Sequence, residues 1–230
     1  MKNIPFTSAR VCSRIWKYIK LIKVEGKTRS GFWKSAESIT HPLGINVAAG
    51  FGRKVSWVRW LKPPTGCFKL NTDGAVKGNP GPAAAEGIVR GHDGATVFCV
   101  WEFIGVQTNT FAELHGIWRG LQLCRDRGLD NIWVEVDSAI AIKLIHNKST
   151  AQWQAQTLIT KILKLLENFN YRLSHIYREG NSVADFLANP GCDHRDFFCS
   201  DGRDLSGRIL GLIRLDKMCI PYIRCRKVRF

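Results

Sequence analysis

Apolar residues fall in strand-like blocks at 67–76, 83–90 and 96–104, separated by the turn-rich stretches "KGNPGP" and "GHDG". Blocks of this length bounded by Gly, Asn, Asp and Pro predict three successive antiparallel strands. The period then changes. Phe111, Leu114, Ile117, Leu121 and Cys124 recur at helical spacing with Gly128 as a stop, which predicts a helix over about 110–127. The apolar run "IWVEVD" at 132–137 predicts a fourth strand. Helices near 138–147 and 152–168, a strand at 171–177 and a last helix starting near 181 complete the series. The string β-β-β-α-β-α-α-β-α predicts an α/β fold: a mixed five-stranded sheet flanked by helices, with three antiparallel strands first. Strands joined through helices then run parallel.

Upstream of residue 60 the pattern is of another kind. Val11, Ile15, Ile19 and Ile22 share one helical stripe with Arg14, Lys17 and Lys20 mostly off it, which predicts a short basic amphipathic helix. Residues 26–56 mix Gly, Ser and Pro without a period and read as a linker. The Pro pair in "WLKPPTG" at 60–66 cannot continue a helix and marks the entry into the folded domain.

Charge adds a partner to this picture. The 230 residues carry a formal net charge of +15, and residues 1–60 hold 12 Lys and Arg against two acids, Glu25 and Glu37. Such a basic arm favours polyanions, nucleic acid first and acidic membrane second. No stretch reaches membrane-spanning length, so nucleic acid is the expected partner and membrane is not. Cys12, Cys67, Cys99, Cys124, Cys192, Cys199, Cys219 and Cys225 are scattered and include no Cys-x-x-Cys pair. That spacing supports neither a zinc site nor a disulfide scaffold, and it fits a reducing, intracellular compartment, nuclear or cytoplasmic. The basic, acid-poor start leaves an organelle transit peptide open.

Four acids stand at strand ends or helix starts. Asp73 lies in the first strand of the domain, Asp137 ends the fourth, Glu113 opens the first long helix and Asp185 opens the last. An Asp-Gly pair such as Asp73-Gly74 more often caps a turn. If the first and fourth strands are neighbours, however, all four carboxylates meet where mixed α/β sheets gather ligands. Clustered carboxylates repel one another and are tolerated when cations neutralise them. Oxygen-only ligands suit Mg2+ or Mn2+, and two such ions roughly 3.5–4 Å apart are suited to in-line attack on a phosphodiester.

The segments "KLNTDGAVKGNPGPAAAEGIVRGHDG", "TNTFAEL", "VEVDSAIA" and "HIYREGNSVADFLAN", in this order, resemble the type 1 ribonuclease H domain, and most of all its plant retrotransposon-derived form. The resemblance implies an RNase H-like domain at 57–199, preceded by a basic arm and linker at 1–56 and followed by a C-terminal tail at 200–230. It implies a monomeric endoribonuclease that cleaves the RNA strand of RNA/DNA hybrids using two Mg2+ or Mn2+ ions. Asp73 would bridge both ions, Glu113 and Asp137 would complete the ion at the leaving 3′ oxygen, and Asp185 would help hold the ion that activates water. His175, ten residues before Asp185, falls at the family's mobile histidine, which assists proton transfer or product release; without the resemblance it reads as a strand-end histidine facing solvent. Gly74, Asn79, Thr108, Asn109 and Thr110 match its nucleic-acid contacts, although the family's second Asn is Thr110 here.

Three features depart from that pattern. Glu86 stands where a small residue is usual, Pro190 replaces a usual Leu, and the space between 147 and 152 leaves no room for the separate basic helix of some bacterial members. Arg178 reads as a solvated strand end. The competing readings are an inactive nucleic-acid-binding remnant of a retrotransposon, a structural cation site, and an aspartic protease. The last requires the order Asp-Thr-Gly, whereas the chain has Thr72-Asp73-Gly74.

Overall fold

The computed structural model describes residues 53–149, 153–187 and 195–227. The basic stripe at 11–22, most of the linker and Pro190 lie outside the described residues. In chain order the elements are β1 (Arg53–Val58), β2 (Phe68–Val76), β3 (Gly81–Arg90), β4 (Thr96–Gln107), α1 (Asn109–Asp126), β5 (Asn131–Val136), α2 (Ala139–Asn147), α3 (Trp153–Leu166) and β6 (Asn170–His175). A 3-10 turn at Arg178–Asn181 then leads into α4 at residues 182–187, followed by β7 (Phe197–Ser200), α5 (Gly207–Lys217) and β8 (Tyr222–Lys227).

Residues from Val58 to Tyr222 form one compact unit. Its sheet has six strands in the order β6-β5-β2-β3-β4-β7. β2, β3 and β4 are antiparallel neighbours, and β2, β5 and β6 are parallel, as the sequence predicts. The sixth strand corrects the expected count of five. β7 has only four residues, Phe-Phe-Cys-Ser, too few for an alternation to show, and it pairs antiparallel with Cys99–Glu102 at the edge of β4. Residues 53–57 and 223–227 belong to a second unit, and β1 pairs with β8 in a two-stranded sheet.

Strand alternation divides the sheet into two faces. Leu70, Val89 and Phe98 point to one face, where they pack with Leu114, Ile117 and Leu121 of α1 and Leu158, Ile159 and Ile162 of α3. Their strand neighbours Ile88 and Cys99 point to the other, against Val183 and Leu187 of α4 and Ile209 and Ile213 of α5. Each fully buried aliphatic side chain contributes roughly 1.5–3 kcal/mol. The second face also buries charge, and the basic side chains there are paired. Lys69 Nζ donates to both oxygens of Glu135 at 3.1 Å, and Arg90 donates to Asp216 at 2.5 Å and to Asn71 Oδ1 at 2.7 Å. Trp60, buried, donates to the same Asn71 oxygen at 2.8 Å and stacks on the Arg90 guanidinium. Asp73 lies on this face two residues after Asn71, just past the end of the parallel pairing of β2 with β5.

Candidate active site

Each acid is positioned by a local feature. β2 and β5 are parallel and Thr72 pairs with Val136, so Asp73 and Asp137 follow at adjacent carboxyl ends. Ser138 then starts α2, its hydroxyl accepting from the Ala141 amide at 3.2 Å. Thr108 starts α1 in the same way, its hydroxyl accepting from the Phe111 amide at 3.3 Å. Asn79 Oδ1 accepts from the Asn109 amide at 3.2 Å and ties the β2–β3 loop to the first residue of α1. Glu113 is therefore the fifth helical residue, in the second turn and not the first, because Thr108 begins the helix earlier than the apolar period alone suggests.

Gly74 brings that helix to the strand. A Cβ at Gly74 would stand 2.4 Å from both the carbonyl carbon of Ala112 and the amide nitrogen of Glu113, so no other residue admits α1 this close to β2. Carboxylate oxygens of Asp73, Glu113 and Asp137 consequently lie within 4.8 Å of one another. They line a cleft of about 530 Å3 together with Gly74, Asn109, Arg178 and Asp185. His175 closes β6 beside Val136, with its Nε2 3.1 Å from the Asp137 carbonyl oxygen and its ring edge against Tyr177.

Asp185 lines the same cleft, outside the three-carboxylate group, and forms an ion pair with Arg178. Arg178 is the residue that sequence reasoning undervalued. It acts electrostatically on Asp73 and Asp137 as well as pairing with Asp185, and the only sequence signal was its place in "REGNSVAD". Of the expected contact residues, Gly74 and Asn109 line the cleft, Asn79 is exposed and bonded to the Asn109 amide, and Thr108 and Thr110 flank Asn109 half-buried at the α1 start.

The electrostatics of the cleft run in one direction. Burial, and then the Asp137 charge, push Asp73 up to about 8. Burial followed by Asp73 and Asp137 holds Glu113 well above the usual carboxylate range, and burial raises Asp137 against the opposing pull of Arg178. Glu113 Oε2 is buried with no hydrogen-bond partner among the described residues. Three converging carboxylates, one with an orphaned oxygen, fit a divalent cation by donor type and by charge.

Residues 71–191 match the family described as reverse transcriptase-like. The chain belongs to this family. Its domain is of the type 1 ribonuclease H kind. It is 33% identical over 133 residues to a candidate ribonuclease H protein of Arabidopsis thaliana, covering 57% of this chain and 22% of that protein. It is 32% identical over 127 residues to ribonuclease HI of Halobacterium salinarum, covering 53% of this chain and 62% of that one. The chain thus spans less than two thirds of either relative. The crystal structure of RNase H1 from the halophilic archaeon Halobacterium salinarum aligns with a TM-score of 0.53 at 31% identity, over 55% of this chain and 98% of that one. LC11-RNase H1, isolated from compost by a metagenomic approach and solved in complex with an RNA/DNA hybrid, aligns with a TM-score of 0.51 at 25% identity, over 55% and 97%. Among the described residues no helix of this reverse transcriptase-like chain is long and apolar enough to cross a membrane.

Proposed function

We propose that the domain is an endoribonuclease that hydrolyses the RNA strand of RNA/DNA hybrids with two Mg2+ or Mn2+ ions. The observation that carries this reading is the convergence of Asp73, Glu113 and Asp137 within 4.8 Å at the carboxyl ends of adjacent parallel strands. When bound, the two ions neutralise charge at the phosphate and supply an activated water. Asp73, Glu113 and Asp137 would hold them, and Asp185, released from Arg178, would add a further ligand. Arg178, exposed at the rim, then offers its guanidinium to the phosphate. His175, exposed with its Nε2 3.1 Å from the Asp137 carbonyl oxygen, assists proton transfer or product release.

Substrate choice rests on the rim of the cleft. Asn79 Oδ1 is engaged with the Asn109 amide, which leaves the Asn79 amide group and the Asn109 side chain to meet a 2′-hydroxyl or phosphate. Thr108, Thr110 and the backbone at Gly74 extend the contact strip. The basic residues of the N-terminal segment add affinity for the backbone. The active species in this reading is a monomer of retrotransposon origin acting in the nucleus or cytoplasm.

The test is metal choice on a labelled hybrid. Mg2+ or Mn2+ is expected to support cleavage and Ca2+ to bind without supporting it, since its longer and looser coordination spoils the alignment of water and phosphate. Comparable rates in Ca2+ would contradict a two-ion mechanism.

A further inference from the structure

β3 runs antiparallel to β2 with Glu86 directly opposite Asp73. Paired residues stand on the same face of a sheet with their Cβ atoms roughly 5 Å apart. Glu86 is fully buried, and neither of its carboxylate oxygens has a hydrogen-bond partner among the described residues. The Trp101 indole and the terminal nitrogens of Arg90 point elsewhere. Trp101, its partner on β4, donates to Asp196 at 3.1 Å, and Arg90, four residues along β3, is bonded to Asp216 and Asn71. The charges that act on it are those of Asp73, Glu113 and Asp185, which with its burial hold it well above the usual carboxylate range.

An unpartnered buried carboxyl costs stability, and none of the described residues offsets that cost with a hydrogen bond. A cation in the adjacent cleft would bring positive charge near the orphaned oxygens through Asp73, the cross-strand neighbour of Glu86. We propose that Glu86 is an outer partner of the divalent cation held at Asp73: a positioning residue that tightens cation binding from behind the ligands. The inference rests on the reading that the three converging acids hold divalent cations. It gives a purpose to an acid at a strand position flanked by Ala83, Ala84, Ala85 and Gly87, where the chain otherwise uses small residues.

The test uses the full chain with Mn2+ alone, without nucleic acid, by titration calorimetry and thermal unfolding at one pH. The variants are Glu86→Gln, Glu86→Ala and, as a control, Asp73→Asn. Without metal, Glu86→Gln is expected to unfold within a degree or two of the parent, because one unpartnered side chain replaces another of the same size, and Glu86→Ala no lower, because loss of the orphaned carboxyl offsets the space it leaves. Their Mn2+ affinity is expected to fall by about tenfold or more, the usual loss when an outer-shell partner is removed. Loss of Mn2+ affinity without loss of metal-free stability separates this from a damaged fold, which would lower both. Mn2+ affinity within twofold of the parent in both Glu86 variants, while Asp73→Asn loses binding, would overturn the inference and leave the metal reading standing. Lower metal-free stability in both Glu86 variants would also overturn it, since Glu86 would then be supporting the fold. Absence of Mn2+ binding by the parent chain would remove the metal reading itself.

Discussion

Burying Asp73 beside Asp137 sets how the metal-free protein responds to pH. Asp73 is raised from 3.8 to about 8, so between these values the folded state holds a proton that the unfolded chain has released. Stability from this group is therefore lost as pH rises from about 4 to about 8, and Glu113 and Asp137 act in the same direction. The unfolding temperature without metal should fall across that window, and saturating Mg2+ should remove most of the fall. A flat metal-free profile would mean that the three carboxylates do not act on one another. Asp73→Asn and Asp137→Asn each remove a charge at constant size. Each is expected to leave the protein folded, by circular dichroism, while adding about 3 kcal/mol or more to the cleavage barrier, the size of a major electrostatic contributor. Cleavage within tenfold of the parent would contradict the assignment. These acids were legible because strand ends and helix starts are readable from periodicity. The Arg178–Asp185 pair was not, because pairing across the 3-10 turn depends on side-chain direction that no spacing encodes.

α1 comes close to the sheet where its inner face carries glycines. A Cβ at Gly116 would stand 2.8 Å from the Asp73 carbonyl oxygen and 3.1 Å from that of Glu86, whereas one at Gly120 would meet only the Leu70 side chain, at 2.7 Å. Backbone cannot yield where a leucine can turn. Gly116→Ala should cost about 1–3 kcal/mol by urea unfolding and weaken Mn2+ binding by shifting Glu113, while Gly120→Ala should stay within about 1 kcal/mol as helix propensity offsets crowding. Equal losses in the two variants would show that helix and strand are not in close contact at the cleft end. The period of Phe111, Leu114, Ile117, Leu121 and Cys124 made this helix readable, as alternation did β2, β3 and β4. β1 and β7 were not readable. β7 is four residues long, and the alternation of β1 spans only Lys54–Trp57, so each is defined by its pairing partner, β4 for β7 and β8 for β1, more than by its own sequence.

The charge of the chain is uneven, and in the proposed function the basic N-terminal segment supplies affinity while the acids supply chemistry. Replacing the Lys and Arg of residues 1–34 by Gln should leave turnover at saturating hybrid unchanged and weaken binding at low salt. Each lost phosphate contact removes roughly 0.9 from the slope of log K against log salt, so loss of four or five contacts should flatten it by about four. An unchanged slope would assign those residues to targeting or folding instead. The central claim is strand-selective cleavage at the Asp73, Glu113 and Asp137 cleft. Its most direct measurement gives the purified full chain an RNA/DNA hybrid labelled on both strands, alongside duplex DNA of the same sequence, in Mg2+, with Asp73→Asn in parallel. The expected result is cuts in the RNA strand alone, an intact DNA duplex and no cleavage by Asp73→Asn. An uncut hybrid, equal cutting of the DNA duplex, or full activity in Asp73→Asn would contradict it.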